Sequence, residues 1–266
     1  MPLDLRVHLD VPVARVPTKI GARPLVADLW IPVRPEPVPC VIYIHGGGWK
    51  TGTQYRPPVQ PRLFDDGVAV AAITYRFSTE ALFPAMFEDC KTMVRWLRYR
   101  ASRYGLDAER FATWGVSAGG NLASLLALTS GREDAEGSGD YRDHSSAVRA
   151  AVSWCGVGDF VRGLDDPNPG RDMRELTALL FGDPIDRALA HAASPAHQVG
   201  KGAPHLLVHG RQDDQVPAWH SESLHEKLRA AGAESHLLID EHAGHTLGAP
   251  AHVEATRVFF LRHLLS

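Results

Sequence analysis

Phe111-Ala112-Thr113-Trp114-Gly115-Val116-Ser117-Ala118-Gly119 leads directly into an apolar run that extends to Leu128. Phe111 to Trp114 reads as a short buried strand and Ala118 to Leu128 as a nearly all-apolar helix. Between them lies G-x-S-x-G, a sharp strand-to-helix turn that lifts a serine hydroxyl above the end of a sheet. Side chains beside that serine would collide with the neighbouring strand and helix, so glycine is required on both sides. The turn also places the hydroxyl near a helix N-terminus, where developing negative charge is favoured. Ser117 is therefore the candidate nucleophile. A structural turn serine is the competing reading, and the strand before and helix after count against it.

Outward from this turn, short apolar runs alternate with longer amphipathic stretches, the pattern of strands and crossover helices in a largely parallel α/β sheet with helices on both faces. Strands are expected at Leu25 to Trp30, Cys40 to Ile44, Val68 to Thr74, Phe111 to Trp114, Val148 to Ser153, His205 to Val208 and His236 to Ile239. Phe87 to Tyr104 shows three- and four-residue apolar steps with Glu88, Lys91, Arg95 and Arg98 between them, predicting a helix with one solvated face. Further helices are expected at Ala218 to Ala231 and His252 to Leu264. The 266 residues suit one domain over 1–266. Gly131 to Ser146, polar and glycine-containing, reads as a mobile surface excursion. Asp159 to Gly200, rich in proline, reads as an insertion that roofs the site, a small lid over 159–200.

Three more segments follow expected strands. His45-Gly46-Gly47-Gly48-Trp49 offers three glycines whose amides can be aimed into a site; Gly47, Gly48 and Ala118 are the candidate oxyanion-hole residues. A phosphate loop is disfavoured because no Gly-Lys-Ser/Thr follows. His45 itself reads as structural. His209 to Pro217 contains Asp213 and Asp214, either of which could orient an imidazole, and spacing alone does not separate them. Glu241-His242-Ala243-Gly244-His245 supplies the base, with His245 favoured by its position and His242 the alternative. In a parallel sheet the carboxyl ends of the strands share one edge, where ligands bind, so all four segments converge there. The chain order Ser, Asp, His is that of the α/β-hydrolase triad. Trp49 is the candidate substrate-binding aromatic; Phe77, Trp154 and Trp219 are further pocket candidates for which core packing is the simpler role.

A formal net charge of -3 with no basic stripe gives no reason to expect nucleic acid. Cys40, Cys90 and Cys155 are odd in number and widely spaced, so neither a disulfide framework nor a thiol metal site is indicated, and the two histidines near 245 lack an obvious third ligand. No metal or cofactor is expected. Met1 to Val16 lacks the apolar core of a signal peptide, and no run approaches a membrane span of roughly 20 apolar residues. The expectation is a soluble, cytoplasmic protein with a small-molecule partner, no membrane partner, and association into a homo-oligomer left open.

The blocks His45 to Trp49, Tyr75-Arg76, Phe83-Pro84, Glu88-Asp89, Arg95 to Arg98, Tyr104 to Asp107, Gly115 to Leu122, Ala193-Ser194-Pro195, Gly210-x-x-Asp213-x-x-Val216-Pro217 and Ala243-Gly244-His245 resemble α/β-hydrolase esterases of the feruloyl/acetyl-xylan esterase (BD-FAE-like) and hormone-sensitive lipase types, from about Leu25 onward. The resemblance implies that Asp213 is the orienting acid, since the family's acid stands three residues after the glycine and three before the valine. It likewise implies that His245, following alanine-glycine, is the base. Val116 departs from the aspartate that hormone-sensitive-lipase-type enzymes often carry there, which brings the chain closer to the feruloyl/acetyl-xylan type. The implied activity is serine carboxylesterase on short-chain acyl or aryl esters, through an acyl-enzyme and without cofactor. The alternatives are an arylformamidase or amidase using the same triad, or a non-catalytic ligand-binding member of the fold. A histidine base further predicts loss of activity in acid, around the reference pKa of about 6.5.

Overall fold

The computed structural model describes residues 4–54, 61–200 and 202–266, so Met1 to Leu3 of the N-terminal stretch lie outside it. Along the chain run β1 (Leu5–Thr18), β2 (Gly21–Pro32), β3 (Val38–Ile44), α1 (Pro61–Asp65), β4 (Ala69–Ile73), α2 (Ala85–Tyr104), β5 (Leu106–Val116), α3 (Ala118–Leu128) and β6 (Ala151–Trp154). Then follow α4 (Phe160–Asp165), α5 (Met173–Phe181), α6 (Arg187–Ala192), β7 (His205–Gly210), α7 (Trp219–Ala230), β8 (Ser235–Asp240) and α8 (Pro250–Leu264). The strands form one sheet in the order β1-β2-β4-β3-β5-β6-β7-β8. From β4 to β8 all pairs are parallel; β1 and β2 are antiparallel additions at one edge.

The two-residue period of a strand explains the two cores. Along β3, Cys40, Ile42 and Ile44 pack with α2 and α3 residues such as Met93, Leu97 and Leu122, whereas Val41 and Tyr43 face Phe64, Phe259 and Phe260 from α1 and α8. Every residue of β3 is buried, as a central parallel strand requires. The expected strands and helices are all present, with ends shifted by up to five residues at Phe111 to Trp114, which is part of the longer β5.

β1 was not among the expected strands. Most of its residues are exposed or half-buried, it carries Pro12 and Pro17, and its register with β2 shifts at two places. Such charged, proline-bearing, irregular edges are how sheets avoid pairing with other chains, and they erase the apolar alternation that marks a strand.

The expected solvated face of α2 fails, because a surface segment covers part of it. The polar face of α2 is not solvated: Lys91 and Arg95 are fully buried. Gly131 to Ser146 is packed over that face, and Glu136 ties it down, with Lys91 Nζ at 3.2 Å and Arg95 Nη1 at 2.9 Å. Tyr141 adds a hydrogen bond from its hydroxyl to Val13 O at 2.9 Å. A segment that looks like a surface excursion is thus the cover of a buried ion network.

Residues 159–200 fold into α4, α5, α6 and a 3-10 turn at Pro195–His197. Asp159 and Asp186 cap α4 and α6 by accepting from Arg162 N–H and from the N–H groups of Ala188 and Leu189. This array lies over the carboxyl edge of the sheet, where Leu176 approaches the Gly48 turn.

Candidate active site

Ser117 occupies the tight turn between β5 and α3 with φ 56° and ψ −119°, a conformation few L-residues adopt. The turn is held by the Ser117 N–H donating to Trp154 O at 2.8 Å. A Cβ on Gly115 would run into Gly119 O, and one on Gly119 into Ile44 O. Contact with backbone on both sides is why the two outer positions of G-x-S-x-G admit no side chain.

His245 descends from the loop after β8 and brings Nε2 to 3.0 Å from Ser117 Oγ. Its Nδ1 lies 2.7 Å from Asp213 Oδ2. The carboxylate accepts from Nδ1–H, which leaves Nε2 as the lone-pair side facing the serine O–H. Asp213 Oδ1 is held in turn by the N–H groups of Gln215 and Val216, both at 2.9 Å. Of the two adjacent acids only Asp213 is buried; Asp214 is exposed and pairs with Arg171 at 3.5 Å. Likewise His242 is exposed while His245 is half-buried at the centre.

Burial by itself would raise the Asp213 pKa, but hydrogen bonds from His209, His245 and the Val216 N–H overcome it and hold the carboxyl well below the usual range. At His245 burial disfavours the imidazolium, and the hydrogen bond to Asp213 overrides this, so its pKa lies above the ordinary 6.5.

Two contributors were not singled out by sequence reasoning. His209, fully buried at the end of β7, donates from Nε2 to Val216 O at 2.8 Å and stands 3.2 Å from Asp213 Oδ2, while its Nδ1 meets Ser221 Oγ at 2.6 Å. It braces the acid from below. The available signal was a histidine four residues before Asp213 at a strand end, indistinct among 14 histidines. Cys155, buried after β6 with φ 43°, donates from Sγ to His245 O at 3.4 Å and so supports the histidine loop. Among the described residues Cys155, Asp213 and His245 also form a group of metal-type donors whose atoms lie within 4.8 Å of one another, but the Asp213–His245 hydrogen bond engages two of the three.

Gly47 has φ 112° and Gly48 φ 60°, and a Cβ on Gly48 would come within 2.9 Å of Leu176. Among the described residues no acceptor takes the N–H of Gly47, Gly48 or Ala118, whereas Gly47 O is occupied by the N–H groups of Lys50 and Thr51. The loop is braced through His45: its carbonyl accepts from Tyr75 Oη at 3.0 Å, and its ring stacks on Tyr75 with Nδ1 2.8 Å from Gly46 O. His45 is thus structural, as expected.

A cavity of about 60 Å³ opens beside Ser117, walled by Gly48, Trp49, Met173, Leu176, Val216 and His245 among others. Trp49 is 2% exposed and packs its ring against Phe160, so it serves wall and core together. The other aromatic candidates lie elsewhere. Phe77 packs on His45 and Tyr75, Trp154 on Trp114 in the opposite core, and Trp219 beneath Arg162. None of those three lines this cavity. No helix of the described residues is long and apolar enough to cross a membrane.

The BD-FAE family model matches residues 27–228. The probable carboxylic ester hydrolase LipM of Mycobacterium tuberculosis is 31% identical over 220 residues, covering 79% of this chain and 50% of LipM. Esterase LipC of the same organism is 30% identical over 213 residues, covering 76% of this chain and 52% of LipC. The chain therefore spans about half the length of these curated relatives. Among solved structures, a truncated carbohydrate esterase from gut microbiota superposes with a TM-score of 0.85 at 26% identity, covering 98% of this chain and 97% of that one. The expected α/β-hydrolase fold, with its mostly parallel sheet, is the one shared with this structure.

Proposed function

This chain belongs to the BD-FAE family, and from that premise we propose that it is a serine carboxylesterase, cleaving small-molecule esters through an acyl-enzyme on Ser117. The observation that carries the reading is the unbroken hydrogen-bond line from Asp213 Oδ2 through His245 Nδ1 and Nε2 to Ser117 Oγ, at 2.7 Å and 3.0 Å. Its support from relatives is that the curated proteins it resembles are named as ester hydrolases.

In this reading His245 Nε2 takes the hydroxyl proton as Ser117 Oγ attacks the ester carbonyl. The oxyanion of the tetrahedral intermediate is met by the N–H groups of Gly47, Gly48 and Ala118. The imidazolium then protonates the leaving alcohol, and water, activated by the same imidazole, releases the acid from Ser117. Asp213 stays ionised throughout, holding the tautomer and stabilising the imidazolium. The small cavity beside Ser117 suits a short acyl group, with Trp49 as part of its wall. Residues 1–266 act as one α/β-hydrolase domain in which 159–200 is the lid, a role supported by the contribution of Met173 and Leu176 to the cavity wall.

A fluorophosphonate probe tests the chemistry directly. Wild type should be labelled and should hydrolyse p-nitrophenyl acetate, and Ser117→Ala should lose both. An unlabelled wild type would favour a non-catalytic ligand-binding role, and faster turnover of N-formylkynurenine than of any ester would favour an arylformamidase.

A further inference from the structure

A second cavity of about 160 Å³ lies under α4, α5 and the start of α7, lined by Phe160, Leu164, Pro169, Met173, Ile185 and His220 among others. It is larger than the space beside Ser117, and Met173 borders both. Met173 is 4% exposed and borders both spaces, so it stands between them rather than on the surface. A methionine suits that position: unbranched and with three rotatable side-chain bonds, it can move aside without disturbing its neighbours.

The lining is mainly apolar; its polar side chains are Arg174, Thr177, whose hydroxyl donates to Met173 O at 2.8 Å, and His220. His220 is fully buried, and its Nδ1 accepts from Asp159 N–H at 3.3 Å. A neutral imidazole that accepts at Nδ1 carries its proton on Nε2, and Nε2 has no partner among the described residues. Burial keeps the ring neutral, its pKa pushed down to about 3. A mainly apolar pocket with a buried, unpartnered neutral donor has the usual form of a small-molecule site, where polar groups set orientation and the walls supply affinity.

We propose that this chamber receives the far end of an acyl chain whose carbonyl sits at Ser117, that Met173 is the specificity-determining partition between the two spaces, and that His220 Nε2–H donates to a neutral oxygen in that chain. The substrate class is then an ester whose acyl part carries an ether or keto oxygen several atoms from the scissile carbonyl. This rests on the esterase reading above. A neutral acceptor fits better than a carboxylate, because the donor is an uncharged imidazole. Arg174 also lines the pocket, but its residue is exposed and its guanidinium is turned to Pro167 O at 3.4 Å.

The test is a kcat/KM series on p-nitrophenyl acetate, p-nitrophenyl octanoate and octanoate analogues in which an ether oxygen replaces one methylene at each position in turn. An ether oxygen costs desolvation in a mainly apolar chamber, so the ether should be disfavoured at most positions. At one position it should be preferred over the methylene parent by about fivefold, the worth of one neutral hydrogen bond. In Leu164→Trp, which fills the chamber, the octanoate-to-acetate ratio should fall about tenfold or more, and in Met173→Ala it should rise. His220→Phe should abolish the preference for the ether, and because the wild-type scan reads the same donor, the proposal does not depend on that variant folding. Normal acetate turnover with no favoured ether position and an unaltered ratio in Leu164→Trp would overturn the proposal alone. Absence of acetate turnover in wild type would remove the esterase reading, and this proposal with it.

Discussion

Replacing Asp213 by asparagine changes one atom type and forces a choice that the surrounding donors decide. Asp213 Oδ1 accepts from the N–H groups of Gln215 and Val216, and Oδ2 accepts from His245 Nδ1–H with His209 Nε2–H beside it at 3.2 Å. An asparagine can present its carbonyl to only one side. Turned toward His245, it would aim its NH₂ at two backbone donors that cannot move. Turned toward the backbone, it keeps both of those bonds and presents NH₂ to His245, which can answer by shifting its proton to Nε2. The second arrangement is favoured, and it leaves a donor facing Ser117 Oγ where an acceptor is needed. The same tautomer fault lowers turnover by about 10⁴ in serine hydrolases of this triad type. The variant should therefore fold, with kcat on p-nitrophenyl acetate down by about that factor, while Asp214→Asn, at an exposed site, stays near wild type. A D213N enzyme within about tenfold of wild type, a loss of no more than about 1.4 kcal/mol in the barrier, would refute the assignment of Asp213 as orienter.

The base must be neutral to act, and the Asp213 hydrogen bond raises its pKa, so the acid limb of kcat/KM should have its midpoint above the ordinary 6.5 rather than at it; a pH-rate profile checks this, and the limb should move down in D213N. Gly47→Ala introduces a Cβ at φ 112° that would meet Thr51 O, so the turn must shift, and kcat should drop by about 10² or more with the fold intact by circular dichroism. Glu136→Gln leaves Lys91 and Arg95 buried with no anion, at a cost of about 3–5 kcal/mol in chemical denaturation. Burial raises the Glu136 pKa, but Ser146, Lys91 and Arg95 bring it below its ordinary 4.5, so its contribution is present above that value and lost as pH falls beneath it. The gap between wild type and E136Q should accordingly narrow in acid.

The sheet and the triad were legible for a local reason. A central parallel strand such as Cys40 to Ile44 is buried on both faces and reads as an unbroken apolar run, and each catalytic segment begins where such a run stops. Steric demands that are local, as at Gly115 and Gly119, leave an equally local mark. What was illegible depends on partners far away in the chain. Lys91 and Arg95 look like a solvated helix face until Glu136, some 40 residues on, closes over them. β1 hides because an edge strand is selected to look unlike a strand.

Choosing between Asp213 and Asp214, or His245 and His242, shows where that boundary runs inside the site itself. Adjacent residues share a loop and a composition, and the difference between them is direction. Asp213 points inward because Gln215 and Val216 N–H hold one oxygen, and His209 packs beneath the other. His245 is inward because β8 ends at Asp240, which accepts from His242 and Ala243 N–H and so turns the loop, while Cys155 holds His245 O. The motif Gly-x-x-Asp-x-x-Val carries this geometry in compressed form: the glycine packs under the Ala243–Gly244 backbone, where a Cβ would not fit, and the valine N–H is one of the two backbone donors to the acid. Substrate choice has no such compression. The cavity beside Ser117 takes Met173 and Leu176 from α5 and Val157 from the turn after β6, and none of these needs a particular neighbour in sequence to do so. Reaction type is thus encoded by backbone constraints that recur at short spacing, and substrate type by the volumes of side chains that only the folded chain brings together.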